Sequence, residues 1–275
     1  MKKVALVTGA SSGIGLDVSI ALLKKGYMVY SAARRTELMK PIEDNGGKIV
    51  HLDLCDSDSI KKCVETIVSA EGKIDVLVNN AGFGLGGSIE DIPVEEAKKQ
   101  FDVNVFGLSQ MIQGVLPFMR KEHSGRIINI SSVAGRFSTP FSGWYHATKY
   151  CVEALSDALR MELKNFGIKV VIIEPGMIQT DWGIIHGKNI RRFSGETAYK
   201  ENACNAAKFY EKSYVDSKKL SRPEVITDLI LKAVSKKNPK ARYSAGTNSG
   251  FYLFCARSLP AKLFDFTTCL FMNQK

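Results

Sequence analysis

Short apolar runs alternate along this chain with longer segments whose apolar residues recur every three or four positions. Six runs predict strands: 4–7, 27–32, 48–52, 74–78, 126–130 and 169–173. The most apolar of them are continuous rather than alternating, the mark of strands buried on both faces. Between them, 16–25, 57–70, 93–120 and 147–166 carry helical spacing. Gly26 and Gly167 stop the first and last of these helices, and Asp56 or Ser57 caps the second. Strand and helix in strict turn predict βαβ units, and so an α/β fold with a doubly wound parallel sheet in a single domain over 1–275.

Beyond residue 180 the pattern loosens. Trp182, Phe193, Tyr199, Phe209, Tyr210 and Tyr214 are spread among basic and polar residues. This reads as an insertion over 181–222 with helices of its own, a substrate-binding lid over the carboxyl ends of the strands, where open α/β sheets bind ligands. A helix over 223–235 and a seventh strand at 243–245 follow. The C-terminal extension, 250–275, is apolar but broken by Arg257, Pro260, Lys262 and Asp265. Three readings stay open for it: packing on the core, a dimer contact, or contact with a membrane surface.

Chemistry concentrates first in Thr8-Gly9-Ala10-Ser11-Ser12-Gly13-Ile14-Gly15, between the first strand and the first helix. Glycine lacks a Cβ, so the backbone can turn tightly and approach an anion. The following helix N-terminus offers free N–H groups and a positive dipole end. Strand, glycine turn and helix together predict a seat for a dinucleotide pyrophosphate.

A second constellation lies downstream. Tyr145 and Lys149 stand four apart, on one face of a helix. An ammonium beside a phenol favours the phenolate, which would let Tyr145 exchange a proton with a carbonyl or alcohol oxygen. Ser132 follows a strand and can hydrogen-bond the same oxygen. Asn104 interrupts an otherwise apolar helix, where an amide is unfavourable without a partner. It is placed to hold a kink, or a water leading to Lys149. Asn79-Asn80-Ala81-Gly82 ends a strand close to where an adenine ribose would lie.

Taken in order, Thr8 to Gly15, Asp53, Asn79 to Gly82, Asn104, Ser132, Tyr145 with Lys149, and Pro175-Gly176 with Thr180 resemble the short-chain dehydrogenase/reductase family over residues 2 to about 180. The resemblance implies a Rossmann fold and a role at each position. Gly9, Ser11, Gly13, Ile14 and Gly15 would hold the pyrophosphate and adenosine ribose, and Asp53 and Leu54 the adenine. Asn80, Ala81 and Gly82 would line the cofactor site, with Pro175, Gly176, Ile178 and Thr180 at the nicotinamide carboxamide end. Tyr145 would be the acid/base, Ser132 the polarising donor, Asn104 the relay anchor, and Lys149 also a ligand of the nicotinamide ribose.

The choice of nicotinamide is read from the residues themselves. An NAD(H) site carries an acid after the second strand. Here that place holds Ala33, then Arg34 and Arg35. Guanidinium groups can clamp a 2′-phosphate, and Ser11 or Ser12 can add a hydroxyl. The expectation is NADP(H) rather than NAD(H).

Phe83, Leu85, Val133, Ala134, Phe137, Phe141, Trp144, Met177, Trp182 and Ile185 are expected around the substrate. Their character suits a bulky hydrophobic alcohol or ketone better than a sugar or an anionic acid. Within the family, 131–136 beside 144–149 is similar to hydroxysteroid and retinol dehydrogenases. Lys188, Arg191 and Arg192 form either a solvated loop or a contact for a substrate carboxylate. A non-catalytic NADP(H)-binding sensor is the rival of another class, and the full set of four residues argues against it.

Composition changes this picture little. Apolar residues make up 45% of the 275 residues, as in a globular protein. The formal net charge of +10 is scattered rather than gathered in an arm, which argues against nucleic acid. Six dispersed cysteines without a Cys-x-x-Cys pair, and four histidines, give no zinc pattern. Reduced thiols and an apolar N-terminal run that stops at Thr8 suggest a cytoplasmic enzyme. The apolar faces of 93–120 and 147–166 suggest a homodimer or homotetramer.

Overall fold

A computed structural model describes residues 2–215 and 219–274. Seven strands form one parallel sheet: β1 (Val4–Thr8), β2 (Met28–Ala33), β3 (Lys48–His51), β4 (Val76–Asn79), β5 (Gly125–Ile130), β6 (Ile168–Pro175) and β7 (Arg242–Ala245). Their order is β3-β2-β1-β4-β5-β6-β7. In register, Leu6 pairs with Tyr30 on one side and Leu77 on the other, and Ile128 with Val78 and Val171. The chain winds outward from β1 in both directions, so the strand order reverses between β1 and β4. This is the doubly wound Rossmann arrangement, and the reversal opens a crevice at the carboxyl ends of those strands.

The two-residue period of a strand divides the core into two layers. Leu6, Leu77, Ile127 and Val170 face α3 (Ser57–Glu71), where they meet Val64 and Ile67, and α5 (Leu108–Lys121), where they meet Met111 and Val115. Their chain neighbours Val7, Val78, Ile128 and Val171 face the opposite layer. There Val18 and Leu22 of α1 (Gly13–Lys24) and Ile226 and Ile230 of α9 (Glu224–Ser235) cover them. Full burial of each such side chain is worth ~1.5–3 kcal/mol, which is why the strands are apolar on both faces.

Three differences from the sequence reading matter. The helix expected over 93–120 is α4 (Val94–Phe101) and α5 joined by a π-helical turn, Asp102–Gly107, with Asn104 buried inside it. The helix expected from Ala147 begins four residues earlier: α6 spans Gly143–Glu162, which puts Tyr145 in its first turn. A short 3-10 turn (Thr36–Met39) and α2 (Lys40–Asp44) link β2 to β3. They were not expected, because five helical residues give no periodicity to read. The expected lid holds α7 (Trp182–Ser194) and α8 (Lys200–Val215), while 216–218 lie outside the described residues. The extension forms α10 (Ser249–Ser258) and α11 (Ala261–Phe271).

Candidate active site

The crevice at the sheet's carboxyl edge is one cavity of about 1330 Å³. It runs from Arg34, Arg35, Asp53 and Leu54 past the glycine turn to Ser132, Tyr145 and Lys149, and ends among aromatic residues of α7, α8, α10 and α11. Gly9, Ser11, Ser12, Gly13, Ile14, Asn80, Ala81, Gly82, Pro175, Gly176, Ile178 and Thr180 all line it. Gly15 and Asn104 do not; they support the wall from behind.

The turn itself has the shape of an anion cradle. Gly9 and Gly13 adopt φ of +66° and +54°, which L residues with a side chain rarely adopt. A Cβ on Gly9 would lie 2.7 Å from the Ala81 Cα, and one on Gly15 would lie 2.4 Å from the Gly9 carbonyl oxygen. Thr8 and Asn80 tie this turn to the end of β4. Thr8 Oγ1 accepts from the Asn80 and Ala81 N–H groups, each at 3.1 Å, and Asn80 Nδ2 donates to Thr8 O and Gly9 O. Helix α1 starts beside the cavity at Gly13 and Ile14, without a side-chain cap and with no acid in its first turn, which leaves its first N–H groups without an intrahelical or capping side-chain partner. A pyrophosphate fits this donor set. At the far side of the turn, Arg35 Nη2 donates to Ser11 Oγ at 3.3 Å, with Arg34 beside it and Ala33, not an acid, at the end of β2. That group of donors suits a phosphate on the adenosine ribose.

Asn104 is explained by the π-helical turn. The extra residue of a π turn swings one side chain out of helical register. Asn104 Nδ2 donates to Phe83 O (2.9 Å) and Thr148 Oγ1 (3.1 Å), and its Oδ1 accepts from Phe83 N (3.1 Å). The amide thus pins the loop after β4 against α6.

Ser132 accepts from Ala134 N at 3.1 Å and donates to Pro175 O at 3.3 Å. Lys149 Nζ donates to Ile130 O at 2.9 Å and lies 5.8 Å from the centre of the Tyr145 ring. Burial pushes the Tyr145 phenol up to about 12, with the Ser132 hydroxyl opposing. Burial likewise pulls Lys149 down to about 8, against the pull of Glu153. For Tyr145, loss of hydration thus acts in the direction opposite to the expected acidified phenol.

Two histidines hold the loop that frames Tyr145. Thr139 N–H donates to His146 Nε2 (3.2 Å), so Nδ1 carries the proton it gives to Ala134 O (2.8 Å). Burial keeps that imidazole neutral by lowering its pKa. His186 of α7 stacks on Trp182, with ring centres 4.6 Å apart, and shares a 2.8 Å hydrogen bond with Ser142 Oγ. Tyr210 of α8 reaches the same Ser142 hydroxyl at 3.0 Å.

Of the residues expected around the substrate, Phe83, Val133, Ala134, Phe137, Met177, Trp182 and Ile185 line the cavity. Leu85 and Trp144 instead pack in a small apolar cluster with Ile92 and Ala97, and Phe141 packs with Ile190 and Ala203. Helical phase turns Trp144 away from its neighbour Tyr145, toward Phe101. Arg191 is committed to a bidentate pair with Glu211, its Nε and Nη2 at 3.0 and 2.9 Å from the two carboxylate oxygens. Sequence reasoning missed Leu38, Val103, Thr139, Tyr252 and Phe264 as lining residues. The aromatic spacing within 250–275 was the one available signal for the last two. Among the described residues there is no cluster of metal-ligating side chains.

A parallel sheet that reverses beside a glycine cradle, with a tyrosine and lysine one helical turn apart, defines a dinucleotide-dependent oxidoreductase. A family model described as short chain dehydrogenase matches residues 3–187, and the chain belongs to that family. A probable short-chain type dehydrogenase/reductase, VdlC, of Helicobacter pylori is 40% identical, over 95% of this chain and 94% of the relative. A 3-ketodihydrosphingosine reductase of Bacteroides thetaiotaomicron is 37% identical, over 89% and 88%. The crystal structure of a short-chain dehydrogenase from Streptomyces avermitilis superposes with a TM-score of 0.78 at 30% identity, over 92% of this chain and 90% of that one. Actinorhodin polyketide ketoreductase with NADPH superposes with a TM-score of 0.77 at 27% identity, over 90% and 97%.

Proposed function

We propose that this protein interconverts a secondary alcohol and a ketone on a bulky hydrophobic substrate, using NADP(H). One observation carries the reading. Ser132, Tyr145 and Lys149 line the same cavity as the Gly9–Gly13 turn, and the end of that cavity beside α10 and α11 carries Phe251, Tyr252, Leu259, Phe264 and Phe271. The NADPH bound by the ketoreductase of similar fold supports the cofactor, together with Arg34, Arg35 and Ser11 here.

When bound, the dinucleotide supplies or accepts the hydride. The chain's own residues do the rest. A phenol held near 12 stays protonated at neutral pH, so Tyr145 is poised to give its proton to a substrate oxygen, which suits reduction. Ser132 adds a hydroxyl donor to the same oxygen. Lys149, poised near 8, can restore that proton around neutral pH. Asn104 fixes the Phe83 loop that closes this end.

Two substrate shapes fit an apolar site. The likeness of 131–136 and 144–149 to hydroxysteroid and retinol dehydrogenases supports a fused-ring or retinoid substrate. The second reading, a ketone on a long alkyl chain, is favoured by the wall that α10 and α11 add, with Tyr252, Cys255, Leu259 and Phe264 on the cavity. The 3-ketodihydrosphingosine reductase among the relatives supports it too. Consumption of NADPH with steroid, retinoid and long-chain ketones tests both; no turnover with any carbonyl compound sinks the enzymatic reading. Exposed Phe106, Tyr150, Leu155 and Met161 support a homodimer through the π turn and α6.

A further inference from the structure

Most exposed apolar side chains here are scattered, as is normal. Helices α10 and α11 differ. Phe251 and Phe254 stand three apart on α10, and Leu263, Phe266 and Leu270 recur at helical spacing on α11. Phe254, Phe266 and Leu270 are 66%, 64% and 67% exposed, and no residue of α11 is buried. The inward residues of the same helices, Tyr252, Cys255, Phe264 and Thr267, line the cavity. A helix with apolar residues on both sides needs a second apolar medium outside the protein core.

Two residues belong to both surfaces. Phe251 and Phe271 line the cavity while 56% and 70% exposed, so they stand at its rim and make that mouth apolar. Two of the three charges around the patch are basic. Arg257 in the last turn of α10 and Lys262 in the first turn of α11 are both exposed. Asp265 is the single acid between 249 and 272, in a chain of net charge +10.

We propose that α10 and α11 dock this protein on an anionic lipid bilayer, with Phe254, Phe266 and Leu270 in the interface and the cavity mouth facing the acyl chains. Aromatic and leucine side chains flanked by basic residues bind such surfaces by apolar burial plus attraction to anionic headgroups. A ketone carried on a lipid chain would then enter past Phe251 and Phe271 without crossing water. That part rests on reading the cavity as the substrate site. A second copy seated on the same patch would close the mouth, so the bilayer is the occupant that leaves the site usable. Among the described residues no helix is long and apolar enough to cross a membrane, so the contact is peripheral.

The test uses the full chain with phosphatidylcholine vesicles, with and without phosphatidylglycerol. Wild type is expected to pellet with the anionic vesicles and to be released by salt. A triple variant, Phe254→Ser, Phe266→Ser, Leu270→Ser, touches no cavity residue and should lose at least about tenfold in pelleted fraction. Its turnover of a water-soluble ketone should match wild type. Arg257→Glu with Lys262→Glu leaves the apolar packing alone and should remove the preference for anionic vesicles. Wild type remaining in the supernatant, or variants pelleting as well as wild type, overturns the proposal. So does light scattering that shows an oligomer which the triple variant takes apart, because the patch would then be a contact between copies. Vesicle binding is read without turnover, so loss of the proposed activity and loss of docking are separate results.

Discussion

Lys149 Nζ donates a 2.9 Å hydrogen bond to the carbonyl oxygen of Ile130, the last residue of β5. That bond anchors α6 to the sheet edge and fixes where Tyr145, one turn earlier, presents its ring to the cavity. The lysine is thus part of the geometry as well as of the charge. Its buried position also makes the ammonium easier to lose than on a surface lysine.

Tyr145→Phe removes the proton donor and leaves the ring. Turnover of a ketone should fall by about 10²–10⁴-fold, the usual worth of a positioned acid. NADPH affinity, followed by fluorescence titration, should change little, because the glycine turn and the arginines are untouched. Near wild-type turnover in this variant would mean that another group donates the proton.

Arg34→Ala and Arg35→Ala test the cofactor preference. Each removes a charge-assisted contact of the kind worth about 10–100-fold toward a phosphate. The NADPH/NADH ratio of kcat/KM should drop by that order through loss with NADPH, while values with NADH hold steady. A ratio unaltered in both variants would make these arginines solvated bystanders.

Gly9→Ala places a Cβ 2.7 Å from the Ala81 backbone at a φ of +66°. Both problems are rigid, so a loss of about 2–4 kcal/mol in stability is expected, along with dinucleotide binding. Gly250→Ala is the contrast: nothing lies within 4 Å of its added Cβ, and it sits in α10. There a small gain, roughly 0.5–1 kcal/mol, should appear in thermal unfolding.

Glu174 gives a pH signature. Burial, then the nearby Glu153, raises its carboxyl from 4.5 to about 7. The folded state therefore holds this proton more tightly than the unfolded chain. Its contribution to stability is complete below pH about 4.5 and is lost as pH rises through about 7. Glu174→Gln should raise the melting temperature at pH 8 and leave it nearly unchanged at pH 4.5, which a calorimetric series across that range reads directly. Equal shifts at both ends would mean that the carboxyl titrates normally.

Asn104→Ala leaves the Phe83 N–H without its acceptor inside the protein. A cost of about 1–3 kcal/mol follows, with a loosened loop beside Tyr145. If the melting temperature is unmoved, water has replaced the amide.

The apolar strands, their order along the chain, the glycine turn and the Tyr145–Lys149 spacing were all legible from sequence, because each is a local pattern with a short period. A run such as Val4–Val7 states its own burial, and a turn with glycine at three fixed places states its own close approach. Other features depended on what folds against what. The π turn at Asn104 is visible only in the folded chain, where its amide meets Phe83 and Thr148, far away in the chain. The sequence alone could not show that Trp144 and Phe141 turn to separate apolar clusters while Tyr252 and Phe264 come round from the C-terminus to the cavity. The proton affinities of Tyr145 and Lys149 likewise followed burial, which is a property of the packed whole. Sequence spacing determines which groups can be neighbours within one helix or turn; desolvation and long-range contacts, which only the tertiary structure creates, decided how those groups behave.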